Sequence, residues 1–217
     1  MAMILQIHPK NPQTREILAV RSALEQGAVI LYPTDTVYAI GCDLNHKGTV
    51  QRVRQLKQLA NDKPLTFLCS SLSNITDYAL VGDPAYRILK RLIPGPYTFL
   101  LPATKQVPRL VMDPKRRTTG IRVPDHAICL ALIEALGHPV ISTSALSVAG
   151  AETELETWLS KAELFDRLED QVDVIIDDGL ELTYQVSSIV DLTGPDPILV
   201  RQGLGWEAAV EWGAELV

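Results

Sequence analysis

The spacing of apolar residues changes period repeatedly along the chain. Ile17, Leu18, Val20 and Leu24 recur at helical intervals, with Pro12 ahead of them and Gly27 behind, which predicts a first helix. Residues 28–32 form a continuous apolar run closed by Pro33, the pattern of a buried strand. Val50, Val53 and Leu56 then predict a second helix carrying Lys57, followed by a strand over 65–69. Asp83-Pro84 reads as a cap with proline at the first helical position, opening a helix over 85–92 that Pro94-Gly95-Pro96 breaks. A strand over 97–101, a strand over 120–123, an Asp125-capped helix over 127–136 closed by Gly137, and a strand over 140–142 follow. The pattern then gives a helix over 156–168, strands over 172–176, 188–191 and 198–201, and a terminal helix over 206–212. Residues 1–10 and 180–185 read as loop or edge material.

Helices and strands alternate, but the last three strands follow one another without helices between them. That order predicts an α/β fold built on a twisted sheet of mixed parallel and antiparallel strands with flanking helices. There is no internal repeat and no Gly/Ser linker to separate one unit from another, and 217 residues suffice for one core, so a single domain is expected.

Composition narrows the class. Hydrophobic residues make up 47% and charged residues 21%, with no apolar run long enough to span a bilayer, so no membrane partner is expected. The first ten residues lack the basic leader and cleavage site of an export signal. Cys42, Cys69 and Cys129 lie too far apart for a disulfide framework or a paired zinc motif. Together these features predict a cytoplasmic protein with buried thiols and no protein-bound metal.

The net charge of −6 conceals an asymmetry. Residues 1–150 hold seventeen Lys and Arg against ten Asp and Glu; residues 151–217 hold three against sixteen. The cations concentrate at Arg52, Arg54, Lys57, Lys90, Arg91, Lys105, Arg109, Lys115, Arg116, Arg117 and Arg122. They either converge into a field that draws phosphates or sit on separate solvated faces.

Four segments could carry chemistry. In Tyr32-Pro33-Thr34-Asp35-Thr36-Val37-Tyr38 a buried strand delivers hydroxyls and an acid onto a turn, where ligands bind in α/β proteins; a side-chain-capped turn would use the same residues. In Thr118-Thr119-Gly120-Ile121-Arg122-Val123-Pro124 an arginine lies between apolar strand neighbours, so it must meet an anion, either an internal carboxylate or a ligand. Ser142-Thr143-Ser144 clusters hydroxyls at the end of a strand, as a phosphate or carboxylate cradle or as an ordinary polar loop. Ser187-Ser188 and Arg201 complete the set. No phosphate-binding glycine loop, dinucleotide fingerprint or zinc motif occurs, so a nucleotide would be held by side chains.

Taken in order, Tyr-Pro-Thr-Asp-Thr-Val-Tyr at 32–38, Leu-Lys-Gln at 56–58, Pro-Gly-Pro-Tyr-Thr-Phe at 94–99, Ile-Arg-Val-Pro at 121–124, Ser-Thr-Ser-Ala at 142–145, Ser-Ser-Ile-Val-Asp at 187–191 and Leu-Val-Arg-Gln-Gly at 199–203 resemble the YrdC/YciO family. That family includes the L-threonylcarbamoyladenylate synthases. Ile7-His8-Pro9 with Asn11-Pro12-Gln13, and the chain length, resemble its YciO-like branch. The resemblance implies a YrdC-like domain over 11–203 with a helical tail over 204–217. It also implies a nucleotidyl transfer in which ATP with Mg²⁺, L-threonine and bicarbonate give threonylcarbamoyl-AMP for tRNA modification. By resemblance Thr34, Arg122, Ser142 and Ser187 would face threonine, while Lys57, Thr118, Ser144 and Arg201 would face the nucleotide. Lys57, Arg122 and Ser144 would be the catalytic set.

Two positions depart from the synthases, which carry Lys-x-Arg and Ser-x-Asn where this chain has Lys57-Gln58-Leu59 and Ser144-Ala145-Leu146. Losing a donor aimed at developing charge costs about two to three powers of ten in rate. The expectation is a weak or altered synthase; the alternative is a paralogue that binds tRNA or double-stranded RNA together with a nucleotide.

Overall fold

The computed structural model describes residues 1–57, 65–146 and 159–216. Their strands are β1 (Met3–Gln6), β2 (Val29–Tyr32), β3 (Ala39–Asp43), β4 (Thr66–Leu68), β5 (Tyr97–Pro102), β6 (Thr118–Arg122), β7 (Val140–Ser144), β8 (Val174–Asp177), β9 (Ser188–Asp191), β10 (Ile198–Arg201) and β11 (Glu215–Leu216). Their helices are α1 (Thr14–Glu25), α2 (Lys47–Leu56), α3 (Leu72–Tyr78), α4 (Asp83–Leu92), α5 (Ala127–Leu136), α6 (Lys161–Leu168) and α7 (Trp206–Glu211). All the strands join one sheet in the order β1-β8-β2-β3-β7-β4-β6-β5-β9-β10-β11. Parallel pairs (β1 with β8, β8 with β2, β4 with β6, β5 with β9) mix with antiparallel ones (β2 with β3, β3 with β7, β7 with β4, β6 with β5). The mixed sheet expected from the crowding of late strands is what forms.

Strand alternation gives the sheet two different faces. On one, Leu31, Ile40, Phe67, Phe99, Ile121 and Ile141 join a core with the buried sides of α2, α3, α4 and α6. On the other, Ile30, Tyr32, Leu68 and Val140 pack beneath α1 and α5, whose buried residues include Val20, Leu24, Ile128 and Leu132. These two helices lie against each other and cover β1, β8, β2 and the near parts of β3 and β7. Beyond them the face carries Thr66, Thr98, Gly120, Arg122, Ser142 and Ser144, and there it opens into a cavity.

Several boundaries differ from the sequence pattern. Residues 39–43 form β3, a hairpin partner of β2, where the Thr-rich segment reads only as a turn. The polar spacing of Ser71, Ser73 and Asn74 hides α3, whose N-cap Ser71 accepts a hydrogen bond from the Asn74 amide. Thr143 and Ser144 lie within β7 and not in a loop beyond Ser142, because pairing with β3 extends the strand. The N-caps of α4 and α5 are Gly82 and His126, neither with a side-chain cap bond; Asp83 sits in the first turn of α4, and Asp125 precedes the cap of α5. α6 starts at Lys161, fixed by a Ser160–Glu163 capping box, and residues 156–158 of its expected span fall outside the described residues. No helix among the described residues is long and apolar enough to cross a membrane.

Candidate active site

The cavity occupies about 170 Å³ at the uncovered part of the sheet. Its floor is short by construction. Gly120 on β6 lies between Thr66 and Thr98, and an added Cβ would sit 3.1 Å from Thr66 Oγ1 and 3.6 Å from Thr98 Cγ2. Thr34, Lys57, Arg122, Ser142, Ser144, Ser187 and Arg201 all line this one space. Thr118 does not. It begins β6 opposite Pro102 and bridges to Asp113, at the far end of the strand from Arg122.

Arg122 ends β6 with 7% of its surface exposed. Its Nη2 donates to Asp35 Oδ1 at 2.5 Å and its Nη1 to Thr36 Oγ1 at 2.8 Å. The anion it meets within the fold is therefore an internal carboxylate, yet Arg122 still forms part of the cavity wall. Nε of Arg122 and Oδ2 of Asp35 are buried with no protein partner. Asp35 and Thr36 are presented by a side-chain turn, in which Thr34 Oγ1 donates to the Val37 carbonyl at 2.8 Å and accepts from the Thr36 amide at 3.1 Å. Thr183 donates to the Thr36 carbonyl and ties the segment before β9 to the same turn.

Arg201 is held differently. It is exposed, and its Nε and Nη2 donate to the Ser187 carbonyl at 2.9 and 2.7 Å, while Nη2 also reaches Ser187 Oγ at 3.0 Å. Ser187 Oγ in turn lies 3.0 Å from Thr98 Oγ1. Lys57 immediately follows α2, where its amide donates to the Val53 carbonyl.

Ser142 is oriented from beneath. Tyr32 donates to Ser142 Oγ at 2.7 Å, crossing β3 where Gly41 pairs with Ser142. A Cβ at Gly41 would stand 2.7 Å from the tyrosine ring, so glycine is what lets the ring pass. Burial pushes the Tyr32 phenol well above its ordinary range, so it remains a donor. Having accepted from Tyr32, the Ser142 hydroxyl has its own proton to donate. Thr34 spends its proton on Val37, and its oxygen is held within the turn by the Thr36 amide and, at 3.1 Å, the Thr36 hydroxyl. The cavity thus combines guanidinium and ammonium charge with hydroxyls of defined polarity, a setting suited to an anionic ligand that also carries donors.

No group of three or more His, Cys, Asp or Glu among the described residues is placed to hold a metal ion. The thiols take no part: burial raises Cys42 to about 12, and Cys129 donates to the Pro33 carbonyl at 3.2 Å. The basic cluster converges only in part: Lys57 and Arg122 share the cavity, while others are engaged elsewhere in the fold. Arg52 pairs with Asp173, Arg54 donates to the Leu110 carbonyl from a buried position, and Arg116 pairs with Asp191.

Asp35 and Thr36, read from the sequence as an acid and a hydroxyl on a turn but given no ligand role, also shape the site, as do Thr66 and Thr98 beside the ligand space and Tyr32 below it. Thr98 had a signal, a polar residue between Tyr97 and Phe99 in an apolar strand. Tyr32 had none, because its role depends on Gly41 lying across the sheet.

The Sua5/YciO/YrdC family model, described as telomere recombination, matches residues 22–203. The chain belongs to the Sua5/YciO/YrdC family. It is 42% identical over 205 residues to the uncharacterized protein YciO of Escherichia coli, covering 94% of this chain and 97% of that one. The crystal structure of E. coli YciO matches with a TM-score of 0.84 at 40% identity, over 94% and 97% of the two chains. A threonylcarbamoyl-AMP synthase of Vibrio vulnificus is 32% identical over 187 residues, 85% of this chain and 96% of the relative. Sua5 of Pyrococcus abyssi, crystallised with L-threonine, matches with a TM-score of 0.84 at 25% identity, over the whole of this chain and 63% of that one. The fold is thus the single-domain YrdC-like sheet, and the family includes synthases of threonylcarbamoyl-AMP.

Proposed function

We propose that the cavity binds ATP, L-threonine and bicarbonate and that the protein forms threonylcarbamoyl-AMP as a slow, divergent synthase. One observation carries this reading: Arg122, Arg201 and Lys57, from three distant parts of the chain, line one cavity with the hydroxyl-bearing residues Thr34, Ser142, Ser144 and Ser187. A structural relative crystallised with L-threonine adds support.

In this reading Thr34, Arg122, Ser142 and Ser187 hold the threonine moiety, and Lys57, Ser144 and Arg201 hold the nucleotide. Thr118, expected at the nucleotide, lies outside the lining and is given no role. Mg²⁺ enters as part of the ATP substrate, on its phosphates. The threonine amine and bicarbonate condense to a carbamate with loss of water, a carbamate oxygen attacks the α-phosphorus, and pyrophosphate leaves. The residues position the reactants and stabilise the charge gathered at the phosphorus. No covalent bond to the protein is needed.

Slow turnover follows from Leu146, which stands two residues after Ser144 where the synthases have asparagine. It is buried and donates nothing. Leu59, the second departure, lies outside the described residues. The test follows pyrophosphate and the acyl-adenylate with purified protein, MgATP, threonine and bicarbonate, beside an active synthase. Turnover requiring both threonine and bicarbonate, and raised by Leu59→Arg with Leu146→Asn, supports the proposal. Retained nucleotide binding with no turnover in either form overturns it. RNA binding, the alternative, has less support, because Arg52, Arg54 and Arg116 are engaged within the fold.

A further inference from the structure

Two threonines flank the glycine floor of the cavity, and the fold uses them differently. Thr66 on β4 pairs with Gly120 on β6 to one side and with Ser142 on β7 to the other, so the three positions share one face in one row across the sheet. Thr98 stands beyond Gly120 on β5. It turns its methyl toward the floor, 3.6 Å from where a Gly120 Cβ would stand, and its hydroxyl toward Ser187 Oγ at 3.0 Å. Thr66 does the reverse, with its hydroxyl oxygen 3.1 Å from that same point. Thr66 lines the cavity, and its hydroxyl makes no hydrogen bond to any described residue.

Gly120 is not among the glycines with positive φ, so its backbone does not require glycine. In the interior of a strand glycine weakens the sheet and marks a place where another group comes close. The outcome is a shallow recess with a hydroxyl on its β4 side and a methyl on its β5 side. Ser142 adds a second hydroxyl beside Thr66, since residues directly opposite on antiparallel strands hold their Cβ atoms about 4.5–5.5 Å apart. Having accepted from Tyr32, Ser142 has a proton to donate. Arg122 lies two residues along the same face of β6 and supplies charge for a carboxylate, whereas the groups around the recess itself are neutral.

We infer that Thr66 sets the side-chain selectivity of the amino-acid site: with Ser142 it recognises the hydroxyl of a β-hydroxy amino acid, whose β-methyl rests over Gly120 against Thr98. This deepens the threonine-binding reading and rests on it. The ligand hydroxyl accepts from Ser142 and donates to Thr66 Oγ1, so both of its hydrogen-bonding capacities are used. Valine has the same shape but leaves the Thr66 and Ser142 hydroxyls facing a methyl group. Serine keeps the hydrogen bonds and leaves only the methyl side of the recess empty. A site built to hydrogen-bond a hydroxyl discriminates more strongly than one that measures a methyl group, so valine is rejected more than serine.

The test is calorimetry of L-threonine, L-serine, L-valine and glycine on the intact chain. Thr66→Val, nearly isosteric, lowers threonine affinity about tenfold and leaves valine affinity unchanged or higher, so the threonine-to-valine ratio falls by about that factor. Thr66→Ser restores the hydroxyl and with it the ratio, which a merely structural role for Thr66 would not do. Gly120→Ala fills the recess; it weakens threonine and serine and spares glycine, which places nothing there. A wild-type protein that binds threonine and valine equally overturns the inference alone, as does an unchanged ratio in Thr66→Val or a lost one in Thr66→Ser. A wild-type protein that binds none of the four amino acids overturns it together with the threonine reading.

Discussion

The two guanidiniums at the cavity show how differently one fold can hold the same side chain. Arg122 is buried on a central strand and meets Asp35, whose side chain is 11% exposed. Arg201 is exposed on β10 and is held by the carbonyl and hydroxyl of Ser187. A buried charge must be matched within the protein before any ligand arrives, whereas an exposed one retains water as a partner. Arg122 is therefore part of what makes the Thr34–Val37 turn stand where it does, and Arg201 can serve a ligand with little consequence for the fold.

The largest effect should come from breaking the buried pair. Arg122→Met leaves Asp35 as an uncompensated buried carboxylate, an expected loss of about 3–5 kcal/mol in urea unfolding. Adding Asp35→Asn removes that charge and should return a substantial part of the loss. The contrast collapses if Arg122→Met costs no more than the same change at Arg201.

Arg201→Met is the reciprocal test. Its unfolding free energy should stay within about 0.5 kcal/mol of wild type, as for an exposed position. Nucleotide affinity, read by calorimetry with ATP, should fall about tenfold to a hundredfold, the range for a hydrogen bond to a charged group. A stability loss as large as that of Arg122→Met would mean that the Ser187 contacts brace the sheet.

Tyr32→Phe probes the support below Ser142 at smaller scale. It removes one buried hydrogen bond while keeping the ring over Gly41, with an expected cost of about 1 kcal/mol. Threonine affinity should fall by a few-fold, because the Ser142 hydroxyl is then free to turn away from the cavity.

The same contrast explains what could be read in the chain beforehand. Arg122 between Ile121 and Val123 signals a strand arginine in need of an anion, and the ordered segments around it signal the family. Which anion it finds depends on β6 lying within reach of the β2–β3 turn, a relation set by the packing of distant strands and invisible in local spacing. β3 escaped the pattern because its Gly41 breaks the apolar run, and that glycine is what the crossing of Tyr32 requires. Ser142 and Ser144 were legible as a hydroxyl cluster, and Ser142 as a strand end, but Ser144 was not legible as a strand residue, since only its pairing with β3 carries β7 that far. Thr118 shows the opposite failure: a plausible hydroxyl, four residues from Arg122 on the same strand face, yet too far along it to line the cavity.

The finest test concerns how dry the surroundings of Arg122 are. Burial lowers the pKa of His126, just before α5; the carboxylates of Asp178, Asp35 and Asp125 oppose this, and Arg122 reinforces it. Its Nδ1 is buried without a protein partner. With a folded pKa below 6.5, the unfolded chain binds more protons as pH falls through 6.5, so His126 contributes stability that is present above that pH and lost below it. Asp177 and Asp191, also lowered, titrate from an ordinary value of 3.8 and act in a separate, more acidic window. Between pH 7.5 and 5.5, wild type should therefore lose more stability than His126→Gln, which cannot take up the proton. Parallel losses in the two proteins would mean that water already reaches His126. Arg122 and Asp35 would then be better solvated than their burial implies, and the penalty expected for Arg122→Met would shrink toward that of Arg201→Met.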